Sequence, residues 1–167
     1  MTFLSNEQKS LAEEIAATLV ERGETVAVAE STTGGLLSAA LLWVPGASRY
    51  YAGGGVVYTL KSRTVLGGVS AEQYANYRGT TPEMLATLAE SMRAQLNVTW
   101  CVAESGLAGP TGGRSAPAGR TTVSVAGPAA KSEVFETGSD DREANMIAFT
   151  TYGLTMLRDA IKGAPAS

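Results

Sequence analysis

The chemistry open to this chain is bounded by its having no histidine and a single cysteine, Cys101. The usual general base and the commonest transition-metal ligand are both missing, so a Ser-His-Asp triad, a histidine-based zinc site and a thiolate zinc site are excluded. The residue best placed to act as a nucleophile is Ser31, in the run Glu30-Ser31-Thr32-Thr33-Gly34-Gly35. It follows a short apolar stretch and precedes a helical one, so its hydroxyl could attack a bound acyl carbon while the amides of Thr33 to Gly35, in the helix's first turn, stabilise the oxyanion. Gly34 and Gly35 would let a substrate approach closely. The competing reading is that Ser31, Thr32 or Thr33 is simply the N-cap of that helix.

Without histidine, a serine nucleophile needs a lysine or tyrosine as its base, and a lysine serves when burial lowers its pKa toward neutrality. Tyr58 and Lys61 are the nearest candidates, at the end of the next strand. Their alternatives are an aromatic packed on the sheet and a solvated helix lysine. A second glycine-rich segment, Ser105-Gly106-Leu107-Ala108-Gly109-Pro110-Thr111-Gly112-Gly113, has amides free of bulky side chains. That suits Ser105, Gly106, Gly109, Gly112 and Gly113 to cradle a phosphate or carboxylate, the alternative being a tight structural crossover. It is not a Walker loop, because no Gly-Lys-Ser/Thr follows. Arg142 lies in the first turn of the last helix, where the dipole disfavours a cation unless an anion is near; a surface salt bridge to Glu143 or Asp140 is the other reading.

The elements that must position these residues are legible from periodicity. Ser5-Asn6-Glu7-Gln8 has the form of a capping box, and Leu11, Ile15 and Leu19 follow before Gly23. Thr25 to Ala29 reads as a strand, Leu36 to Trp43 as a helix stopped by Pro45-Gly46, and Gly53 to Tyr58 as a second strand. A short helix is expected over Leu60 to Leu66. A longer one starts at Thr81-Pro82 with Met84, Leu85, Leu88, Met92 and Leu96 on one face. Val98 to Glu104, Thr121 to Ala126 and Glu133 to Glu136 read as strands, the last two as an antiparallel hairpin. Asp140 to Glu143 open a final helix carrying Ile147, Leu154, Leu157 and Ile161. Strands alternating with helices predict an α/β fold, a three-layer α/β/α sandwich with a mixed, largely parallel sheet. Ligands then sit beyond the C-terminal strand ends, where both glycine-rich segments fall.

The 167 residues suit one domain, 1–167, with 44% hydrophobic and 17% charged residues. Thirteen Lys and Arg against sixteen Asp and Glu, with no basic block, argue against nucleic acid as a partner. No apolar run reaches the length of a membrane span, and the polar start lacks the pattern of a signal peptide. A lone cysteine in an apolar stretch forms no internal disulfide, which fits a cytoplasmic location, and it reads as a buried strand thiol. The apolar helix Leu36 to Trp43 would serve either as the interface of a homo-oligomer or as core.

The chain resembles the CinA C-terminal domain family, whose stand-alone members are nicotinamide-nucleotide amidohydrolases. The likeness covers nearly the whole chain. It is carried by Ala29-Glu30-Ser31-Thr32-Thr33-Gly34-Gly35, Val44-Pro45-Gly46-Ala47-Ser48, Gly54-Gly55-Val56-Val57-Tyr58 and Gly106 to Gly113. The resemblance implies a three-layer α/β/α fold, a serine nucleophile at Ser31, an assisting Tyr58, no metal or cofactor, and hydrolysis of the carboxamide of nicotinamide mononucleotide to the acid and ammonia. Departures are local. Thr32 stands where the family has cysteine, and Met146 where it repeats an arginine four residues after Arg142. Arg78-Gly79-Thr80-Thr81 replaces Gly-Ala-Val-Ser. The family's base lysine comes five residues after the tyrosine, whereas here Lys61 comes three after it and Arg63 occupies the lysine's place. Arginine stays charged at neutral pH and cannot be the base. On a helix, two positions turn a side chain by ~200°, so Lys61 and Arg63 should face nearly opposite ways.

Overall fold

The computed structural model describes residues 1–166, so Ser167 at the end of the expected domain lies outside the described residues. Helix α1 (Asn6–Arg22) starts at the expected capping box, the Ser5 hydroxyl accepting from the Gln8 amide at 3.1 Å and the Gln8 side chain accepting from the Ser5 amide at 3.1 Å. It ends at Gly23, in the left-handed region at φ 64. Strand β1 (Val26–Glu30) is buried along its whole length, which is why its sequence is a continuous apolar run and not an alternation. Helix α2 (Leu36–Trp43) follows, then strand β2 (Tyr51–Val56), the short helix α3 (Leu60–Val65) and helix α4 (Pro82–Leu96). Strands β3 (Trp100–Leu107), β4 (Arg120–Ala126) and β5 (Lys131–Glu136) precede the last helix, α5 (Arg142–Gly163).

Strand β5 starts at Lys131, two residues ahead of the expected Glu133, and β2 and β3 also sit differently from their expected places. The strand anticipated over Gly53 to Tyr58 runs from Tyr51 to Val56, because its partner β1 ends at Glu30, opposite Val56, and the last bond between them runs from the Val57 amide to the Glu30 carbonyl at 2.8 Å. Conversely, β3 runs past Glu104 through Ser105, Gly106 and Leu107, which pair with Thr122, Thr121 and Arg120 of β4. The apolar pattern stops at Ala103, but the antiparallel ladder carries the strand onward. Ser105 and Gly106 are therefore strand residues, and the glycine-rich loop begins at Ala108.

The sheet has the order β2-β1-β3-β4-β5. β1 is parallel to both neighbours, and β4 is antiparallel to β3 and β5, so four of the five strands point one way. Val26, Val28, Trp100, Val102, Val123 and Val125 pack beneath α1, α2 and α5 on one face. Ala27, Ala29, Cys101 and Ala103 pack beneath α4 on the other, where small side chains let the helix lie close. These are the three expected layers. The chain leaves β1 first toward β2 and later returns to its other side as β3, so the C-terminal end of β1 is the topological switch point of the sheet.

The Cys101 thiol is fully buried in β3, and burial pushes its pKa up to about 12. With essentially no thiolate at neutral pH it should resist thiol reagents in the native protein. Titration with a chromogenic disulfide is expected to release nothing from folded protein and one equivalent after denaturation; rapid native reaction would contradict this placement.

Candidate active site

Two buried carboxylates organise the turn that follows β1. Glu30 receives the Thr33 hydroxyl at 2.6 Å, the amides of Gly35 and Leu37 at 2.8 and 3.1 Å, and the amide and hydroxyl of Ser38 at 3.0 and 2.7 Å. It thereby caps α2, a task expected of Ser31, Thr32 or Thr33. The backbone N-cap is Gly35, at φ 105 and without a side-chain cap. An anion at the helix N-terminus is favourable, and with five donors on it Glu30 faces inward.

Glu104, from the neighbouring strand, binds the turn itself. One of its oxygens accepts from the Ser31 amide at 3.3 Å and the Thr33 amide at 3.0 Å; the other accepts from the hydroxyls of Thr32 and, at 2.9 Å, Thr121. Among the described residues no cation pairs with Glu104. Burial raises its pKa, and the hydrogen bonds from Thr32, Thr33, Thr121 and Ser31 oppose that rise. The Thr33 hydroxyl lies between the carboxylates, 2.6 Å from Glu30 and 3.1 Å from Glu104. It has one proton to give, and the shorter contact is to Glu30.

The amides expected to form the oxyanion hole are already engaged: Thr33 donates to Glu104, Gly34 to the Ser31 carbonyl at 3.1 Å and Gly35 to Glu30. What the turn leaves over is the Ser31 hydroxyl, which makes no hydrogen bond among the described residues although the residue is 5% exposed, and the adjoining Thr32 amide, which is likewise unpaired. The free N–H is one residue earlier than anticipated, because two carboxylates consume those that follow.

Tyr58 is 56% exposed, Lys61 is exposed, and neither hydrogen-bonds to Ser31. Arg63, two residues along α3, turns inward and is 4% exposed. Its Nε donates to the Val57 carbonyl at 3.3 Å, its Nη1 to the Thr80 hydroxyl at 3.1 Å and its Nη2 to the Ser105 hydroxyl at 2.7 Å. Val57 follows β2 and Ser105 belongs to β3, so the guanidinium spans the end of β1, from which Ser31 departs.

The second loop is held from α5. The Asn145 amide group donates to the Ala108 carbonyl at 2.8 Å, and Arg142 donates to the Gly109 carbonyl at 2.7 Å. Among the described residues Arg142 makes no ion pair with Asp140 or Glu143. A Cβ at Gly109, whose φ is 103, would stand 2.4 Å from the Asp140 carbonyl oxygen, so glycine is required there. A Cβ at Gly112 would meet the Ala116 carbonyl at 2.7 Å, while the Gly113 amide closes the loop onto that same oxygen at 2.9 Å. The amides of Ala108, Gly109, Thr111 and Gly112 make no hydrogen bond among the described residues. No group of three or more metal-ligating side chains comes together among the described residues.

Local sequence pattern marks Glu104 only as a strand end and Thr121 only as a strand start, and nothing in it points to Asn145. A signal for Glu104 was present: Val28-Ala29-Glu30-Ser31 and Val102-Ala103-Glu104-Ser105 are the same four residues, and the structure sets them side by side with Val28 against Val102 and Ala29 against Ala103. Equivalent positions on adjacent parallel strands share a face, so both glutamates turn toward α2 and Ser105 turns to the opposite side.

The family model for the CinA C-terminal domain matches residues 8–161. The chain belongs to that family. Curated relatives of the CinA domain include a CinA-like protein of Prochlorococcus marinus, 40% identical over 74% of this chain, and one of Parasynechococcus marenigrum, 41% identical over 71%. In each case the match covers 29% of the relative, so the chain spans less than a third of the length of these curated relatives. Among solved structures, a competence/damage-inducible protein from Agrobacterium tumefaciens superposes with a TM-score of 0.86 at 26% identity, covering 96% of this chain and 99% of the other. A CinA-superfamily protein from Klebsiella pneumoniae shares the fold with the same TM-score at 23% identity, over 93% and 98% of the two chains. No helix of the CinA domain described here is long and apolar enough to cross a membrane.

Proposed function

We propose that this domain is a serine amidohydrolase that releases ammonia from the carboxamide of a nicotinamide-nucleotide-class substrate, with Ser31 as nucleophile. The observation that carries the reading is the turn after β1, in which the amides of Thr33 to Gly35 are held within the protein while the Ser31 hydroxyl and the Thr32 amide are left free. Acyl transfer needs a positioned nucleophile with a donor beside it. Ser31 Oγ attacks the carbonyl carbon, the Thr32 N–H faces the oxygen as it gains charge, and the proton from Oγ leaves with ammonia. Water then attacks the acyl-enzyme, giving the acid and restoring Ser31. Lys61, assisted by Tyr58, carries the proton, and since both are exposed, Lys61 must move over the site when substrate is bound. The unpaired amides from Ala108 to Gly112, on the loop that Arg142 braces, supply the phosphate cradle. The scheme uses no metal, cofactor, nucleic acid or membrane, and puts the domain in the cytoplasm with its nucleotide. Membership of the CinA family supports it.

The exposure of Lys61, together with Arg63 at the place of the family's lysine, favours a second reading: a nucleotide-binding relative without turnover. Lys61→Ala separates the two. Under the first reading this variant binds nucleotide by calorimetry and loses most ammonia release; under the second, wild type and variant bind equally and neither turns substrate over.

A further inference from the structure

Arg63 is a buried cation with nothing anionic beside it. The ion pairs formed among the described residues do not include it, and its hydrogen-bond partners are one carbonyl and two hydroxyls, all neutral. Of the five N–H groups of a guanidinium, these contacts use three. Burial of a charge without a counter-charge is costly, so the surroundings are incomplete as they stand.

The hydroxyls point to what completes them. Tyr77, Thr80 and Ser105 form a short chain, Tyr77 to Thr80 at 3.0 Å and Thr80 to Ser105 at 3.0 Å, with Arg63 donating to the last two. Three hydroxyl protons serve two contacts, so at least one O–H has no acceptor among the described residues. All three residues line a cavity of about 350 Å³ between the turn preceding α4 and the ends of β3 and β4. The charged residues lining that cavity are Arg78, which makes no ion pair among the described residues, and Arg120, whose partner Glu136 is 3.4 Å away on the outer strand; no carboxylate lines it. Behind it lies the buried Tyr74 hydroxyl; burial raises its pKa, and the charge and the hydrogen-bonding group of the nearby Arg63 oppose the rise.

We propose that this cavity is a binding site for the oxyanion group of a small molecule, a phosphate ester or a carboxylate, received by the surplus hydroxyl proton of the Tyr77–Thr80–Ser105 chain and by Arg78, with the buried Arg63 charge behind them. An anion there provides the missing acceptor and the missing counter-charge together. The site is separate from the 108–113 loop and does not depend on turnover at Ser31.

The test is binding, read without catalysis. Protein purified free of phosphate is titrated with inorganic phosphate and, separately, with malonate, against sodium chloride of matched ionic strength, following heat of binding and Tm. Saturable binding of at least one anion to wild type is expected, with phosphate or malonate preference separating the two ligand sources. One saturable component of the binding should be lost in Arg63→Met and weakened about tenfold in Ser105→Ala, while phosphate held by the 108–112 loop persists in both variants. No saturable binding of either anion to wild type, or unchanged affinity in Arg63→Met, would overturn the proposal. If Arg63→Met does not fold, unchanged affinity in Ser105→Ala does the same. Failure of amide hydrolysis would leave these results standing, and failure of anion binding would leave the Ser31 chemistry untouched.

Discussion

Glu104→Ala is expected to destabilise the protein by about 3–5 kcal/mol, more than a typical single substitution, and to loosen the Ser31 turn. The carboxyl accepts from two amides and from the hydroxyls of Thr32 and Thr121, all in a region closed to bulk water. Removing it leaves each of these donors to find another partner, at about 1–3 kcal/mol for any that stays buried and unpaired. Glu104→Gln keeps the shape and isolates the charge. Because burial raises the pKa of Glu104 above its ordinary 4.5, the folded protein holds this proton more tightly than the unfolded chain. The stability from this group is full below about pH 4.5 and is lost as pH rises through the folded value, with a slope of at most about 1.4 kcal/mol per pH unit for one proton. Urea denaturation across the weakly acidic to neutral range is expected to show wild type losing stability relative to Glu104→Gln as pH increases. Parallel pH profiles would mean that Glu104 titrates alike in the folded and unfolded chain.

The second large effect is on catalysis. Ser31→Ala is expected to lower amide hydrolysis by at least about a thousandfold while leaving Tm within a degree or two of wild type. The Ser31 hydroxyl makes no hydrogen bond among the described residues, so its removal leaves no buried donor or acceptor behind. The turn is held through the Ser31 amide and through Thr33, neither of which the substitution changes. Retained hydrolysis would remove Ser31 from the mechanism, and a large fall in Tm would mean that the hydroxyl is structural.

The architecture was legible because its signals are local. The boundaries of α2 at Leu36 and Trp43 follow from an apolar helical run closed by Pro45-Gly46, and the start of α1 follows from a four-residue box. The glycines of the second loop also declare themselves, since Gly109 and Gly112 are places where a Cβ would strike backbone. The electrostatics of the site were not legible, because they depend on which strand lies beside which. Glu30 becomes a helix cap and Glu104 a clamp only when β1 and β3 are adjacent in register. The strand end at Leu107 depends on β4, which arrives later in the chain. The opposed directions of Lys61 and Arg63 follow from helical geometry, but what Arg63 would meet does not, for Thr80 and Ser105 are 17 and 42 residues away in sequence. Local pattern thus sets the elements, and strand order decides which polar groups are consumed and which are left to act.

Ammonia release from nicotinamide mononucleotide by purified protein without added metal, with Ser31→Ala run beside it, decides whether Ser31 is a nucleophile. Steady release by wild type is expected, and none above background in the variant. No release by a folded wild type that binds the nucleotide would contradict it and assign the domain to binding without turnover.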